Sequence, residues 1–257
     1  MRTSGATASA LSIEGVTKYF GGLVVFEEIS FEVGEQEIVS LVGPNGAGKT
    51  TLFNIINGLM RPNTGRITYG ETDLTQVPTH AMAHLGIART FQHPRPFEGM
   101  TVRENIMVGS FVANDSVRSA MKAAAGAADT VGLGKRLDEP LDRLTLLERK
   151  FLEMARAIAT SPRLLLLDEV MTGLNPTELA DAMNVIRSIR ESGTTVLLIE
   201  HVMNAVMELS DRVVVLANQQ ILADDIPGVV SRDPEVLRAY LGEEGDSKRE
   251  GINGGTG

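Results

Sequence analysis

The sequence predicts an α/β fold with a mostly parallel sheet at its core, and three observations support this prediction. Aliphatic runs of strand length alternate with segments of helical period, as buried parallel strands and their crossover helices do. A short glycine-rich loop joins one of these strands to a helix. Another strand ends in two adjacent carboxylates. Two sections that break the alternation predict additional units beside the core.

The predicted elements follow in order along the chain. The segments before residue 37 and from Gly65 to Leu74 have the pattern of short strands and turns, which predicts a small antiparallel sheet. Residues 37–43 predict a strand. The helix after it is expected to bury one apolar face. That face consists of Leu52, Ile55, Ile56 and Leu59.

The second half of the chain predicts a helical insertion followed by three more core strands. Residues 94–160 are rich in Ala and contain no aliphatic strand run. The strands are expected over 163–167, 194–199 and 211–216. From Gly242 onward the composition turns to Gly, Glu, Lys and Ser, which cannot bury enough apolar surface to order a tail.

Composition limits the class of protein. The 257 residues suffice for one large domain or two small ones. The longest uncharged stretch, Leu74 to Ala88, contains His, Pro and Gly and is shorter than the roughly 18 apolar residues of a spanning helix. Residues 1–10 are too polar for a signal peptide, and the absence of Cys excludes disulfides and thiolate metal sites. We therefore expect a soluble, intracellular protein.

Charge argues against a nucleic-acid partner. The formal net charge is −9, with 24 Lys and Arg against 33 Asp and Glu, so no general basic field is present. The chain has no Trp and only 4% aromatic residues, which leaves little for a base-stacking platform. We expect no nucleic acid among the partners.

The glycine-rich loop has the pattern of a phosphate-binding loop. Residues 43–50 match G-x-x-x-x-G-K-[ST] between a predicted strand and a predicted helix, which is the context that the motif requires. Its glycines allow positive φ and turn N–H groups inward into an anion-binding nest. Lys49 can reach terminal phosphates, and the Thr50 hydroxyl can bind Mg²⁺. The expected nucleotide-binding residues of the loop are Gly43, Pro44, Asn45, Gly46, Ala47, Gly48, Lys49, Thr50 and Thr51.

Four further polar residues complete the predicted site, three of them at strand ends. Asp168 and Glu169 end the strand at 164–169, at the sheet edge where open α/β folds bind nucleotides. Asp168 is predicted to hold Mg²⁺ through water, and Glu169 to orient or deprotonate a water that attacks the γ-phosphate. His201 follows the strand at 194–199, and Gln92 follows Arg89-Thr-Phe. Taken alone, a His is more often a hydrogen-bonded structural residue, and a Gln is more often a surface amide.

In this order the motifs resemble the nucleotide-binding subunits of ABC transporters, over roughly residues 11–242. The resemblance implies that Phe20, just before Gly21, stacks on adenine. It implies that Gln92 contacts Mg²⁺ or the attacking water, and that His201 is a switch histidine that acts with Glu169 and Lys49 in catalysis. The expected Mg²⁺ ligands are thus Thr50, Gln92 and Asp168.

The resemblance also implies a domain organisation. We expect a P-loop NTPase core of the ABC ATPase type, with an antiparallel β subdomain and a helical subdomain, in one domain over residues 11–242. The core with its β subdomain would comprise 1–92 and 161–223, the helical subdomain 93–160, and a disordered tail 243–257.

Four longer phrases are similar to the ATP-binding subunits of high-affinity branched-chain amino-acid importers, although related amide and urea importers carry similar ones. They are Phe20-Gly-Gly-Leu23, Asn54-Ile-Ile-Asn-Gly-Leu59, Arg89-Thr-Phe-Gln-His-Pro-Arg-Pro-Phe97 and Met100-Thr-Val-Arg-Glu-Asn-Ile-Met-Val-Gly109. The resemblance implies an ATPase that uses ATP and Mg²⁺ to power import at the cytoplasmic face of the cell membrane. Its partners would be a second ABC ATPase subunit in a heterodimer, two membrane permease subunits and an extracytoplasmic solute-binding protein.

The signature position departs from the family pattern. ABC ATPases usually carry Leu-Ser-Gly-Gly-Gln, whereas this chain carries Leu144-Thr-Leu-Leu-Glu148. The two central Leu side chains are expected to hinder the approach to a γ-phosphate on the other subunit, and Glu148 adds a like charge. Thr145 and Glu148 also match a capping box, which predicts a helix start here. The apolar stripe of that helix would consist of Leu147, Phe151, Met154, Ala155 and Ile158. Val170 and Asn175 stand where the family commonly has Pro and Asp.

Other functions remain as alternatives. A nucleotide-binding structural subunit would bind ATP to hold a dimer together but hydrolyse little, as the altered signature allows. A soluble ABC ATPase of translation or DNA repair commonly has two tandem cassettes or a long coiled coil, and the sequence has neither. A GTPase is disfavoured because Asn-Lys-x-Asp is absent.

Overall fold

Two sheets organise the part of the chain that the computed structural model describes, residues 9–91 and 95–240. The strands are β1 (Ser9–Phe20), β2 (Leu23–Gly34), β3 (Ile38–Val42), β4 (Thr64–Tyr69), β5 (Thr72–Asp73), β6 (Ile87–Arg89), β7 (Leu164–Asp168), β8 (Thr195–Ile199), β9 (Arg212–Ala217) and β10 (Gln220–Asp225). The α-helices whose two ends lie within the described residues are α1 (Lys49–Ile56), α2 (Thr79–Met82), α3 (Val102–Ser110), α4 (Val117–Thr130), α5 (Leu146–Ile158), α6 (Pro176–Glu191), α7 (Met203–Leu209) and α8 (Pro227–Val230). None of the helices in these two ranges is both long enough and apolar enough to cross a membrane.

The larger sheet has the strand order β10-β9-β3-β8-β7-β6, and all its pairs are parallel except β9 with β10. Every residue of β3, β7 and β8 is buried, which confirms the strands predicted from continuous aliphatic runs. Alternate residues belong to two different apolar clusters, with Leu165 on one face of the sheet and Leu164 on the other. One face therefore packs against the helices α3 to α7, and the other against α1 and the smaller sheet.

The smaller sheet is antiparallel, in the order β2-β1-β4-β5, as predicted. Its first two strands are 12 residues each, so the prediction of short strands was wrong. Register shifts interrupt the pairing of β1 with β2, and positive φ at Gly15 (57°) and Glu28 (52°) marks two of them. These bulges break the alternation of the sequence without ending the strands.

The segment between β6 and β7 is helical, as predicted, and contains α3, α4 and α5. The predicted apolar stripe of α5 faces the core: Phe151, Met154 and Ala155 are buried, and Leu147 and Ile158 pack against the same cluster. Helices α3 and α5 approach closely at Gly109, where an added Cβ would lie 2.2 Å from the carbonyl oxygen of Arg156.

One helix is shorter than its pattern suggested. Leu59 was expected on the buried face of α1, but α1 ends at Ile56, and Leu59 is 51% exposed. Gly58, at φ 67°, turns the chain away immediately after the helix. Phe53 is fully buried in the cluster where Leu59 was expected. The predicted disordered tail, 243–257, lies outside the described residues.

Candidate nucleotide-binding site

Three neighbouring strands of the larger sheet bring the predicted polar residues to one edge. Strands β3, β8 and β7 are parallel neighbours, so their carboxyl ends meet there. The glycine-rich loop follows β3, Asp168 and Glu169 lie at the end of β7, and His201 follows β8. From β3 the chain crosses to the outer strand β6, returns through β7 and β8, and then crosses to β9 on the other side of β3. Such reversal points are the usual ligand sites of open α/β sheets.

The loop at 43–50 depends on glycine at its two ends. Gly43, Gly46 and Gly48 have φ of 150°, 79° and 98°, the positive values that the sequence predicted. A Cβ at Gly43 would lie 1.9 Å from the carbonyl oxygen of Leu216, and one at Gly48 would lie 2.7 Å from the ring of Phe26. Larger residues are therefore excluded at Gly43 and Gly48 by sterics as well as by backbone conformation.

Helix α1 presents its N-terminus at the end of this loop. It begins at Lys49, and no side chain in the described part of the chain caps its first turn. Its leading N–H groups are therefore suited to an anion. The Lys49 ammonium is buried and donates to the carbonyl oxygens of Gly43 at 2.6 Å and Pro44 at 2.8 Å. Thr50 is exposed, and Thr51 is half-buried.

Asp168 is buried at the end of β7 and forms an ion pair that the sequence did not predict. Arg89 Nη2 lies 2.7 Å from Asp168 Oδ2, and both side chains are only 4% exposed. Arg89 Nη1 donates to Asn54 Oδ1 at 2.7 Å. The backbone N–H of Asp168 donates to Thr90 Oγ1 at 3.2 Å. Strand β6 thus fixes Asp168 from the side.

Glu169 and His201 contact each other directly. His201 Nε2 and Glu169 Oε1 are 2.5 Å apart, with 37% of the His side chain and 13% of the Glu side chain exposed. Glu169 has φ 51°, which is uncommon for a residue other than Gly. Its N–H donates to the carbonyl oxygen of Ile199 at 2.9 Å, which anchors this conformation. Such backbone strain is often found at functional sites.

A second buried carboxyl, also missed by sequence reasoning, lies beside this pair. Glu200 accepts hydrogen bonds from the N–H groups of Met171 at 2.7 Å and His201 at 3.3 Å. Burial raises the pKa of Glu200 to about 7, against the hydrogen bonds and the nearby charge of Lys150. Lys150 Nζ donates to the carbonyl oxygen of Thr172 at 2.6 Å, and burial lowers its pKa. The only sequence signal for Glu200 was its place directly after an aliphatic run.

The donor set at this edge fits Mg²⁺ that arrives with a nucleotide. Asp168 and Thr50 offer oxygen ligands, which hard cations prefer. Within residues 9–91 and 95–240, no group of three or more His, Cys, Asp or Glu could hold a metal by itself. Mg²⁺ commonly takes one or two protein ligands and completes its shell with phosphate oxygens and water. The residues present match that use.

Phe20, the residue predicted to stack on adenine, lies in the smaller sheet and not at this edge of the larger one. Phe20 is exposed at the turn between β1 and β2, with Lys18 Nζ 4.9 Å from its ring centre. Strand β2 reaches the phosphate loop at Phe26, which packs against Gly48. Gln92 lies outside the described residues.

The altered signature begins a regular helix. Thr145 caps α5, and the carboxylate of Glu148 accepts a hydrogen bond from the Thr145 N–H at 2.8 Å, which confirms the capping box. Glu148 Oε2 also lies 3.5 Å from Arg136 Nη2. Leu146 is 56% exposed, whereas Leu147 packs against the core. Of the two Leu side chains expected to hinder a phosphate contact, only Leu146 is largely exposed.

Comparisons with known families agree with this geometry. The ABC transporter family model matches residues 26–172, and the model for branched-chain amino acid ATP-binding cassette transporters matches residues 220–246. The high-affinity branched-chain amino acid transport ATP-binding protein LivG of Salmonella typhimurium is 39% identical over 249 residues, or 91% of this chain and 98% of that protein. BraF of Pseudomonas aeruginosa, which carries the same description, has the same identity and coverage.

Solved structures show the same fold. The ADP conformation of an ATP-binding cassette from an ABC transporter superposes with a TM-score of 0.84 at 30% identity, over 92% of this chain and 100% of that one. A nucleotide-free cassette gives 0.81 at 28% identity, over 90% and 98%. Since the family model spans more than half of the chain and the relatives align over nearly their whole length, the chain belongs to the ABC transporter family, as an ATP-binding cassette.

Proposed function

We propose that this chain is the ATP-binding, ATP-hydrolysing subunit that powers an ABC importer. The observation that carries the proposal is the meeting of the phosphate loop, Asp168, Glu169 and His201 at one sheet edge. The loop N–H groups and the N-terminus of α1 bind the phosphates of ATP. Lys49, which donates to loop carbonyls at the same place, exchanges them for phosphate oxygens.

Glu169 is proposed as the group that receives a proton from the attacking water. Its carboxylate is held by His201, so that one oxygen is fixed and the side chain is oriented. Asp168 and Thr50, with Gln92, would hold Mg²⁺, which neutralises charge on the phosphates. Phe20 is proposed to stack on adenine, since its ring is exposed at the turn of a hairpin whose second strand packs on the loop.

Branched-chain amino acids are the proposed solute class of the importer. Two observations support this. Relatives at 39% identity are branched-chain amino acid transport ATP-binding proteins, and residues 220–246 match the branched-chain amino acid cassette family. Importers of urea or amides are the alternative, because their ATP-binding subunits carry similar sequence phrases. Growth on each solute after deletion of this subunit would distinguish the two.

The proposed assembly contains a second ABC ATPase subunit, two membrane permeases and an extracytoplasmic solute-binding protein, with this chain at the cytoplasmic face. We propose residues 11–242 as one cassette, in which the segment from Gln92 to Val108 transmits the motion to the permeases. A groove of about 340 Å³ supports this contact surface, since Phe91, Arg95 and Val108 line it beside the helices. Phe91 and Val108 are exposed.

A nucleotide-binding structural subunit with little hydrolysis is the second candidate, and the altered signature favours it. The two are separated by measuring ATP turnover of the reconstituted complex with wild-type chain and with Glu169→Gln. We expect turnover to fall by about a hundredfold or more while ATP binding is retained, because the variant loses only the proton acceptor. Glu191→Gln, at an exposed glutamate, is the matched control. Equal turnover in wild type and Glu169→Gln would favour the structural subunit.

A further inference from the structure

The guanidinium of Arg89 connects three elements around the proposed site. It lies at the end of β6, contacts Asp168 at the end of β7 and donates to Asn54 on α1, each at 2.7 Å. The rings of Phe53 and Phe91 lie 5.7 Å and 5.3 Å from its central carbon, within the range of cation–π contact. These neighbours hold the guanidinium in one orientation.

Stability alone is a poor explanation for this arrangement. A buried ion pair gives up the hydration of both charges and is often no more stable than apolar residues of the same volume. Among residues 9–91 and 95–240, Nε of Arg89 is also buried without a hydrogen-bond partner, which costs further free energy. Of its two hydrogen-bonded neighbours, Asp168 is a proposed cation ligand, and Asn54 lies one turn along α1 from Thr50, the other proposed ligand.

Asn54 and Thr50 lie four residues apart on α1, so they share one face of that helix. Thr50 and Asp168 are the two described residues proposed to hold the cation. Arg89 therefore links Asp168 to the helix face that carries Thr50. Its contact with Asp168 uses Oδ2 and leaves Oδ1 as the oxygen that can serve the cation.

We propose that Arg89 is a positioning residue for the divalent cation of bound ATP, an inference that rests on the proposed function. Arg89 does not touch the nucleotide. It sets the orientation of Asp168 and the position of that carboxylate relative to Thr50. Partners behind metal ligands commonly act in this way, and their loss lowers metal affinity by about tenfold to a hundredfold.

The arrangement requires Arg rather than Lys. A guanidinium is planar and presents several donors in a fixed fork, so one side chain reaches Asp168 and Asn54 at once. An ammonium is a point charge that can replace one of these contacts but not both in the same geometry. The effect of Mg²⁺ on ATP affinity is therefore expected to be smaller in Arg89→Lys than in wild type, but larger than in Arg89→Met.

The test compares ATP affinity of the purified full chain in Mg²⁺ and in EDTA, by titration calorimetry. The measured quantity is the gain in affinity that Mg²⁺ provides. We expect this gain to fall about tenfold or more in Arg89→Met and by less in Arg89→Lys and Asn54→Ala. Affinity in EDTA should stay within about twofold of wild type. The control is Arg187→Met, which removes a surface ion pair with Glu208.

The possible results of this titration separate the role of Arg89 from the proposed function of the chain. The positioning role of Arg89 would be overturned if Mg²⁺ increased the ATP affinity of all three variants as much as that of wild type, or more. It would also be overturned if the variants lost ATP affinity equally in Mg²⁺ and in EDTA. If Arg89→Met does not fold, Arg89→Lys and Asn54→Ala decide, since both retain the buried positive charge. Failure of the wild-type chain to bind ATP in either condition would instead refute the proposed function.

Discussion

Glu200 is a buried carboxyl between the two loops that follow β7 and β8. Its pKa in the folded protein is about 7, above the ordinary value of 4.5, because burial disfavours the charged form. The folded protein therefore binds this proton more tightly than the unfolded chain. The protonated Glu200 carboxyl therefore favours the folded protein over the unfolded chain. This contribution to the free energy of unfolding is fully present below about pH 4.5 and is lost as the pH rises through about 7.

Glu200→Gln is expected to remove this pH dependence, because an amide oxygen can still accept the Met171 N–H without titrating. Between pH 5 and pH 8, wild type should lose about 2–3 kcal/mol more of its free energy of unfolding than the variant. Urea denaturation at several pH values measures the difference. The exposed Glu71→Gln serves as control and should follow wild type. A pH-independent difference between Glu200→Gln and wild type would contradict the assignment.

Side chains that depend on distant partners could not be predicted from the sequence. Arg89 and Asp168 are 79 residues apart in the chain, and only the pairing of β6 with β7 brings them together. Glu200 resembles any polar residue after a strand until its burial is known. The phosphate loop, in contrast, is a local motif whose glycines have the predicted positive φ because one short segment contains the whole nest.

The first turn of α5 contains both a helix cap and the position of the family signature. Thr145 caps the helix, and Glu148 completes the capping box. Thr145→Ala should lower the free energy of unfolding by about 1 kcal/mol, whereas Thr145→Ser should retain the cap. Urea denaturation followed by circular dichroism measures both variants. No loss in Thr145→Ala would show that the first turn is held by tertiary packing instead.

Glu148→Gln separates the cap from the charge. Glutamine at this position still completes a capping box, so the free energy of unfolding should stay within about 0.5 kcal/mol of wild type. The variant carries the residue that is usual in the family signature and removes the negative charge. We expect it to raise ATP turnover of the assembled complex, measured alongside the denaturation curve. Unchanged or lower turnover at unchanged stability would show that this charge does not impede a phosphate contact.

At the level of elements, the sequence was informative wherever the pattern is periodic and local. The aliphatic runs predicted β3, β7 and β8, and the stripe on α5 predicted its buried face. The prediction failed where single residues change the backbone path. Bulges at Gly15 and Glu28 concealed the full length of β1 and β2, and the turn at Gly58 ended α1 before Leu59. Periodicity carries no information about such interruptions.

In the proposed heterodimer, the two ATP sites would differ. One site would combine the phosphate loop, Asp168 and Glu169 of this chain with the partner's signature. The other would be completed by residues 144–148 of this chain. There Leu146 is largely exposed, and Glu148 is engaged by the cap and by Arg136. A phosphate approaching that turn would meet a bulky side chain and a like charge instead of open backbone N–H groups.

This asymmetry predicts unequal effects of the same substitution in the two subunits. Glu169→Gln in this chain should abolish ATP turnover and transport of the reconstituted complex, whereas the equivalent change in the partner should cost much less. ATP-dependent association of the two subunits, measured in parallel, verifies that both variants still assemble. Because only the site with the unaltered signature is expected to hydrolyse ATP efficiently, equal losses from the two changes would contradict the asymmetric arrangement. A homodimer would carry the altered signature in both sites, and its turnover should then be slow in wild type as well.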